Sequence, residues 1–237
     1  MCKWYSQWKL VNGKFTLMFP TKNLEHKMLQ VGYKNIIGVD EVGYGALAGP
    51  VVVCALMIDW KRVKKNDALL KLGVRDSKQL TAAERERIAL ALRNDPRVTF
   101  QIASASPATI DRINILLAAQ GAMRRAVSRM MNHELRIKLD KKSNSIVLVD
   151  GNRLIPKLKL PQRTIIGGDQ KVFTIACASI IAKVCRDQIM IRYAKTYPQY
   201  GFAKHKGYGT KEHFAWLTTI GPSLIHRRSF TLTSKLL

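Results

Sequence analysis

Residues 35–58 constrain the fold most tightly. Ile36-Ile37-Gly38-Val39 runs straight into Asp40-Glu41, and the glycine-rich stretch Gly43-Tyr44-Gly45-Ala46-Leu47-Ala48-Gly49-Pro50 follows. Then comes Val51-Val52-Val53-Cys54-Ala55-Leu56-Met57-Ile58. Short continuous apolar runs rich in β-branched residues read as buried strands. A tight glycine turn between them leaves no room for a crossover helix, so the two strands form an antiparallel pair. Two adjacent acids then stand at the end of a buried strand, where open α/β sheets build their sites.

The rest of the chain extends this pair into a mixed sheet. Thr81-Ala-Ala-Glu84 has the capping-box pattern and opens a helix over about 82–93. Residues 98–105 read as a third strand. From Asp111 to Met131, apolar residues such as Leu116, Met123, Val127 and Met130 recur at helical spacing, with Arg124, Arg125 and Arg129 on the opposite face. Ser145–Val149 is a buried strand ending at Asp150, and Gly167-Gly168-Asp169 is a turn. A long helix from Val172 to about Tyr197 stops at Pro198. The expected fold class is α/β: a mixed β-sheet flanked by helices, with a C-terminal helical annex. Residues 1–30 form a basic, aromatic extension, in which Trp4, Tyr5 and Trp8 alternate with lysines. It is read as a hairpin packed on the main domain at 31–237, or as an arm touching nucleic acid.

Composition narrows the class of partner. The chain has 237 residues and a net charge of +24, from 40 Lys and Arg against 16 Asp and Glu. A domain this basic faces a polyanion, with nucleic acid first among the candidates. No apolar stretch is long enough for a membrane span. Cys2, Cys54, Cys177 and Cys185 form no zinc-type pair, and Cys54 and Cys177 read as small core residues. With no signal-peptide pattern, the expected location is a reducing cytoplasm.

The acids are scarce, yet several sit where acids are awkward. Asp40 and Glu41 follow one apolar strand, Asp150 ends another, and Asp187 lies in a largely apolar helix beside Arg186. Each taken singly has a plain alternative, a turn residue for Asp150 or an ion-pair partner for Asp187. Together they suit divalent cations, because converging carboxylates repel and hard oxygen ligands select Mg²⁺ or Mn²⁺. An acidic centre inside a basic surface is the layout of a metal-dependent nuclease.

The motifs resemble those of the type 2 ribonucleases H, the ribonuclease HII family. The opening block, Ile37 to Pro50, is similar to the family's signature. So are Asp76-Ser77-Lys78-Gln79-Leu80, Asn114-Ile115-Leu116 with Ala122–Ala126, and Val149-Asp150-Gly151-Asn152. Gly167-Gly168-Asp169, Ala178–Asp187, Lys204–Thr210 and His226–Phe230 complete a match over roughly 35–230.

The resemblance implies a ribonuclease H-like fold and an endonuclease that cuts the RNA strand of RNA–DNA hybrids. It also implies incision of duplex DNA 5′ to embedded ribonucleotides, leaving 3′-hydroxyl and 5′-phosphate ends through two metal ions. By the same resemblance Asp40, Glu41, Asp150 and Asp187 are the metal-binding acids. Gly43, Tyr44 and Gly45 form the loop that contacts the ribonucleotide 2′-hydroxyl, and Tyr208 stacks on the sugar of the next deoxynucleotide. Tyr44 departs from the family, which usually has arginine there. The extension is short for the separate N-terminal domain of type 3 relatives, and Gly43-Tyr44-Gly45-Ala46 differs from their turn motif.

Lys78, Lys183, Arg186 and Lys206 are further candidates for substrate contact, each with a surface charge or ion pair as its plain alternative. His226-Arg227-Arg228 either grips DNA or caps a helix. A monomer suffices for these roles, and Leu232, Leu236 and Leu237 are too weak a signal for a sliding-clamp partner. Two competing readings are a different metal nuclease or strand transferase on the same fold, and a non-catalytic nucleic-acid-binding module. The 2′-hydroxyl reader argues against the first, and retention of all four acids against the second.

Overall fold

The computed structural model describes residues 8–11, 14–17, 19–136 and 144–231. Strands β1 (Trp8–Val11) and β2 (Lys14–Leu17) pair antiparallel, Trp8 opposite Leu17, so this part of the extension is a hairpin. Trp4 and Tyr5 lie outside the described residues, as do Leu232, Leu236 and Leu237.

Helix α1 (Asn23–Gln30) was not expected. It is fastened to the domain by buried Glu25, which accepts hydrogen bonds at 2.9 Å from both the backbone N–H and the hydroxyl of Thr174.

The main sheet contains β3 (Asn35–Val42), β4 (Val51–Ile58), β5 (Val98–Ala105), β6 (Ser145–Asp150) and β7 (Gln162–Ile165), in the order β5-β4-β3-β6-β7. β3 pairs antiparallel with β4 and parallel with β6. β4 and β5 have the bounds the sequence suggested. β3 runs on through both acids, because Asp40 and Glu41 pair with Cys54 and Val53 across the ladder. β7 was not foreseen, since Gln162-Arg163-Thr164-Ile165 has neither an apolar run nor strict alternation.

The helices are α2 (Ala82–Asn94), α3 (Pro107–Ile113), α4 (Ile115–Arg136), α5 (Gly168–Lys171), α6 (Phe173–Thr196), α7 (Phe202–His205) and α8 (Lys211–Ile220). Helix α2 has the full capping box between Thr81 and Glu84. The single helix expected over 111–131 is instead two, broken at Asn114. That residue has φ 65°, and its side chain accepts from the Leu117 N–H at 3.0 Å to start α4. Arg125 and Arg129 are not a free basic face, because they donate to the Ser104 and Ile102 carbonyls of edge strand β5.

Strand alternation divides the core between the two sheet faces. Ile36, Cys54, Leu56, Ile146 and Leu148 pack with Cys177, Ile180 and Ile181 of α6. Ile37, Val39, Val53, Val147 and Val149 pack with Met123, Val127 and Met130 of α4. Gly38 is needed where α6 crosses β3, because a Cβ there would lie 2.7 Å from the Thr174 carbonyl carbon. Cys54 and Cys177 are buried, as expected. No helix among the described residues is long and apolar enough to cross a membrane.

Candidate active site

Register brings the acids together. Val39 of β3 is level with Val149 of the parallel neighbour β6, so Asp40 and Asp150, each one residue later, stand side by side where the pairing of these two central strands ends. Asp40, Glu41 and Asp150 line a cleft of about 430 Å³ with Gly43, Tyr44, Gly45, Ser77, Lys78, Ser179, Lys183 and Tyr208. Most residues singled out from the sequence therefore converge, although they are spread over more than 160 positions of chain. Asp187 does not itself line the cleft. It lies one turn along α6 from Lys183, which pairs with it at 2.7 Å.

Burial pushes the Asp40 carboxyl well above the usual range, and the charges of Glu41 and Asp150 push the same way; a hydrogen bond from Ser179 opposes them. Glu41 is driven to about 7 by burial and by Asp150, with Lys78 acting against the shift. This repulsion is the strain a divalent cation relieves. The donors on offer are carboxylate oxygens, which suit Mg²⁺ or Mn²⁺. Among the described residues no three such side chains enclose an ion as they stand. Three are engaged elsewhere: Asp40 accepts from the Glu41 N–H at 2.7 Å, Asp150 from the Gly168 N–H at 2.6 Å, and Asp187 from Lys183.

One acid was missed. Asp169 is buried, its carboxyl raised by burial and by Asp150, with Lys78 holding it at 3.3 Å. It follows the unforeseen β7, and the Gly167-Gly168-Asp169 triplet was the signal that could have found it. Lys78 is thus shared among acids at the cleft wall, 3.9 Å from Asp76 as well.

Arg186 and Lys206 are placed differently from the expected substrate contacts. Arg186 is buried, with its guanidinium spent on backbone carbonyls. Lys206 bonds the Ala203 carbonyl and is absent from the cleft wall. Arg227 caps no helix; it too is buried, with its guanidinium on the loop carbonyls of Gly43, Tyr44 and Gly49.

Tyr208 is held from behind by a histidine relay. The Ser223 N–H donates to His226 Nδ1 at 2.8 Å, so the His226 proton is on Nε2 and points at His213 Nε2, 2.9 Å away. His213 therefore carries its proton on Nδ1 and donates to the Tyr208 carbonyl at 3.0 Å. His205 stacks on His213 with ring centroids 4.3 Å apart. Burial holds His213 and His226 near 4, below the ordinary 6.5, and each ring is further lowered by its histidine neighbours.

The unfolded chain takes up these protons first, so the stability they underwrite is complete above pH 6.5 and lost as pH falls toward 4. Amide-exchange protection across 201–228 is expected to drop between about pH 7 and about pH 4.5 before the β3–β6 amides are affected. Uniform protection throughout would contradict this.

With this geometry described, comparison with known proteins assigns the family. A family model described as Ribonuclease HII matches residues 37–233. The ribonuclease HII of Caldicellulosiruptor bescii is 45% identical over 207 residues, covering 87% of this chain and 91% of that protein. That of Nitrosococcus oceani is 45% identical over 197 residues, covering 83% and 89%. Among solved structures, ribonuclease H2 from Pyrococcus horikoshii matches with a TM-score of 0.64 at 25% identity, covering 84% of this chain and 94% of that one. The ribonuclease HII of Archaeoglobus fulgidus, solved in complex with PCNA, matches at 0.63 and 25%, covering 86% and 98%. Bst-RNase HIII with Mn²⁺ matches at 0.65 but only 17% identity, over 92% and 75% of the two chains, and so speaks for the fold alone. The mixed sheet is a ribonuclease H-like fold, and the chain belongs to the ribonuclease HII family, metal-dependent endoribonucleases.

Proposed function

We propose that this protein cuts the RNA strand of RNA–DNA hybrids and incises duplex DNA 5′ to embedded ribonucleotides, leaving 3′-hydroxyl and 5′-phosphate ends. One observation carries the reading: three acids where the β3–β6 pairing ends share a cleft with the Gly43–Gly45 loop and Tyr208. Asp40, Glu41, Asp150 and Asp187 would hold two Mg²⁺ or Mn²⁺ ions, Asp187 joining when it gives up Lys183. When bound, such ions supply an activated water and stabilise the leaving 3′-oxygen. The loop presents backbone donors to the 2′-hydroxyl, the group that separates RNA from DNA. The Tyr208 ring offers an apolar face to a sugar lacking that hydroxyl. Lys78 and Lys183 stand at the cleft wall to meet phosphate.

The test is cleavage of a hybrid with Mg²⁺, with Mn²⁺ and with EDTA. RNA products that a polymerase can extend, and that vanish with EDTA, are expected. Cyclic-phosphate ends or EDTA-resistant cleavage would overturn the proposal.

Tyr44 replaces an expected arginine, but its carbonyl is held by Arg227 at 2.8 Å while the residue is 40% exposed and lines the cleft. The backbone function is thus independent of the side chain. Tyr44→Arg adds one charge toward phosphate and is expected to lower KM about three- to tenfold at low salt, with kcat changed less than about threefold. Unchanged kinetics on both a hybrid and a single-ribonucleotide duplex would sink this account of residue 44.

A further inference from the structure

Arg186, on α6, and Arg227, beyond α8, are both 0% exposed, and no carboxylate accepts from either guanidinium among the described residues. Arg186 donates from Nε to the Pro50 carbonyl at 3.0 Å, from Nη1 to Lys206 at 2.9 Å and from Nη2 to Ala48 at 3.1 Å. Arg227 donates from Nε to the Gly49 carbonyl at 3.0 Å, from Nη1 to Tyr44 at 2.8 Å and from Nη2 to Gly43 at 2.6 Å. Burying cations with no carboxylate bonded to them is costly, and apolar side chains would fill the same volume more cheaply. What two guanidinium forks do, and apolar groups cannot, is fix the direction of several carbonyls at once.

We infer that Arg227 and Arg186 are positioning residues: Arg227 aims the N–H groups of Tyr44 and Gly45 into the cleft, and Arg186 fixes the spacing from that loop to Tyr208. The inference rests on the substrate reading above. In a trans peptide the N–H of the next residue points opposite to the carbonyl. Arg227 draws the Gly43 and Tyr44 carbonyls to itself, away from the cleft that these residues line. The N–H groups of Tyr44 and Gly45 therefore face the other way, as two adjacent donors, and among the described residues no hydrogen bond uses them. Arg186 joins the loop, at Ala48 and Pro50, to Lys206, two residues before Tyr208, and its guanidinium lies 5.1 Å from the Tyr208 ring. The reader of a 2′-hydroxyl and the platform for a sugar without one are thus held at a set separation, as a gauge of the RNA-to-DNA junction. Burial and the Arg186 charge lower Arg227 to about 9, which leaves it charged at neutral pH.

Arg227→Lys and Arg186→Lys keep the charge and lose the fork. Three substrates separate the roles: a uniform hybrid, a single-ribonucleotide duplex, and a strand whose short RNA run is followed by DNA. In each variant kcat/KM on the single-ribonucleotide duplex is expected to fall at least about tenfold more than on the uniform hybrid. Cuts in the RNA run are expected to spread away from the junction position that the wild type prefers. Mn²⁺ affinity is expected to stay within about twofold of wild type, since the acids are untouched. Should the lysine variants not fold, Arg227→Ala with added ethylguanidinium decides: recovery of junction-positioned cutting supports the inference. Equal losses on all three substrates with unchanged cut positions, or rescue without recovery of position, overturn it alone. A wild-type enzyme whose cutting ignores ribonucleotides overturns the substrate reading, and this inference with it.

Discussion

Asp40→Asn is expected to lower kcat by at least about a thousandfold and yet to make the cation-free protein more stable. The two effects have one cause. Asp40 is 4% exposed, beside Glu41 and Asp150, and burial plus those charges raise its carboxyl well above the ordinary range. Asparagine keeps an oxygen for the Glu41 N–H, which Asp40 binds at 2.7 Å, so the strand end is preserved. It removes the charge that the others repel and that a cation needs.

A carboxyl raised on folding binds its proton more tightly in the native state. Its stabilisation is complete below the unfolded value and lost as pH rises through the folded one. For Glu41 that loss spans from 4.5 to about 7. The stability gain of Asp40→Asn in EDTA is therefore expected to grow with pH, to about 1 kcal/mol, or about 2–4 °C, near neutrality. Thermal melts with and without Mg²⁺ check this: Mg²⁺ should raise the midpoint of the wild type and not of the variant. A variant that is inactive and also less stable in EDTA would show that Asp40 serves packing instead.

The second large effect is expected at Gly43. Its φ is +92°, and a Cβ added there would lie 2.1 Å from Nε of buried Arg186. Backbone strain and collision act together, and Arg186 cannot yield without releasing its carbonyls at Ala48, Pro50 and Lys206. Gly43→Ala is expected to cost about 2–4 kcal/mol of stability and to reduce cleavage of a single-ribonucleotide duplex at least about a hundredfold. By contrast, a Cβ at Gly45 meets nothing within 4 Å, so Gly45→Ala is the control expected to fold normally. Equal melting temperatures for Gly43→Ala and the wild type would contradict this description of the loop.

How much of this was legible in the sequence depended on the kind of signal. Val51–Ile58 and Val98–Ala105 were readable because apolar, β-branched composition survives translation into buried strands. Asp40, Glu41 and Asp150 were readable because an acid ending an apolar run is unusual, and parallel pairing then brought two of those ends together. Asp169 was not singled out, because it follows β7, whose four residues carry no periodic signal, and Gly167-Gly168-Asp169 reads on its own as a turn. The break at Asn114 was hidden because apolar spacing continues across it. For Arg186 the sequence offers a substrate contact or an ion pair, and for Arg227 a grip on DNA or a helix cap, because sequence records charge and not burial. Their carbonyl partners lie up to 184 positions away, and only the assembled fold shows them.

The most direct test of the central claim, that the acidic centre and the loop beside it act at a ribonucleotide, is mapping of the cut in duplex DNA holding one ribonucleotide. The account predicts a single Mg²⁺- or Mn²⁺-dependent nick immediately 5′ to that ribonucleotide, absent with EDTA and absent from the all-DNA duplex. Cutting of the all-DNA duplex, a nick on the 3′ side, or cleavage that persists in EDTA would contradict it.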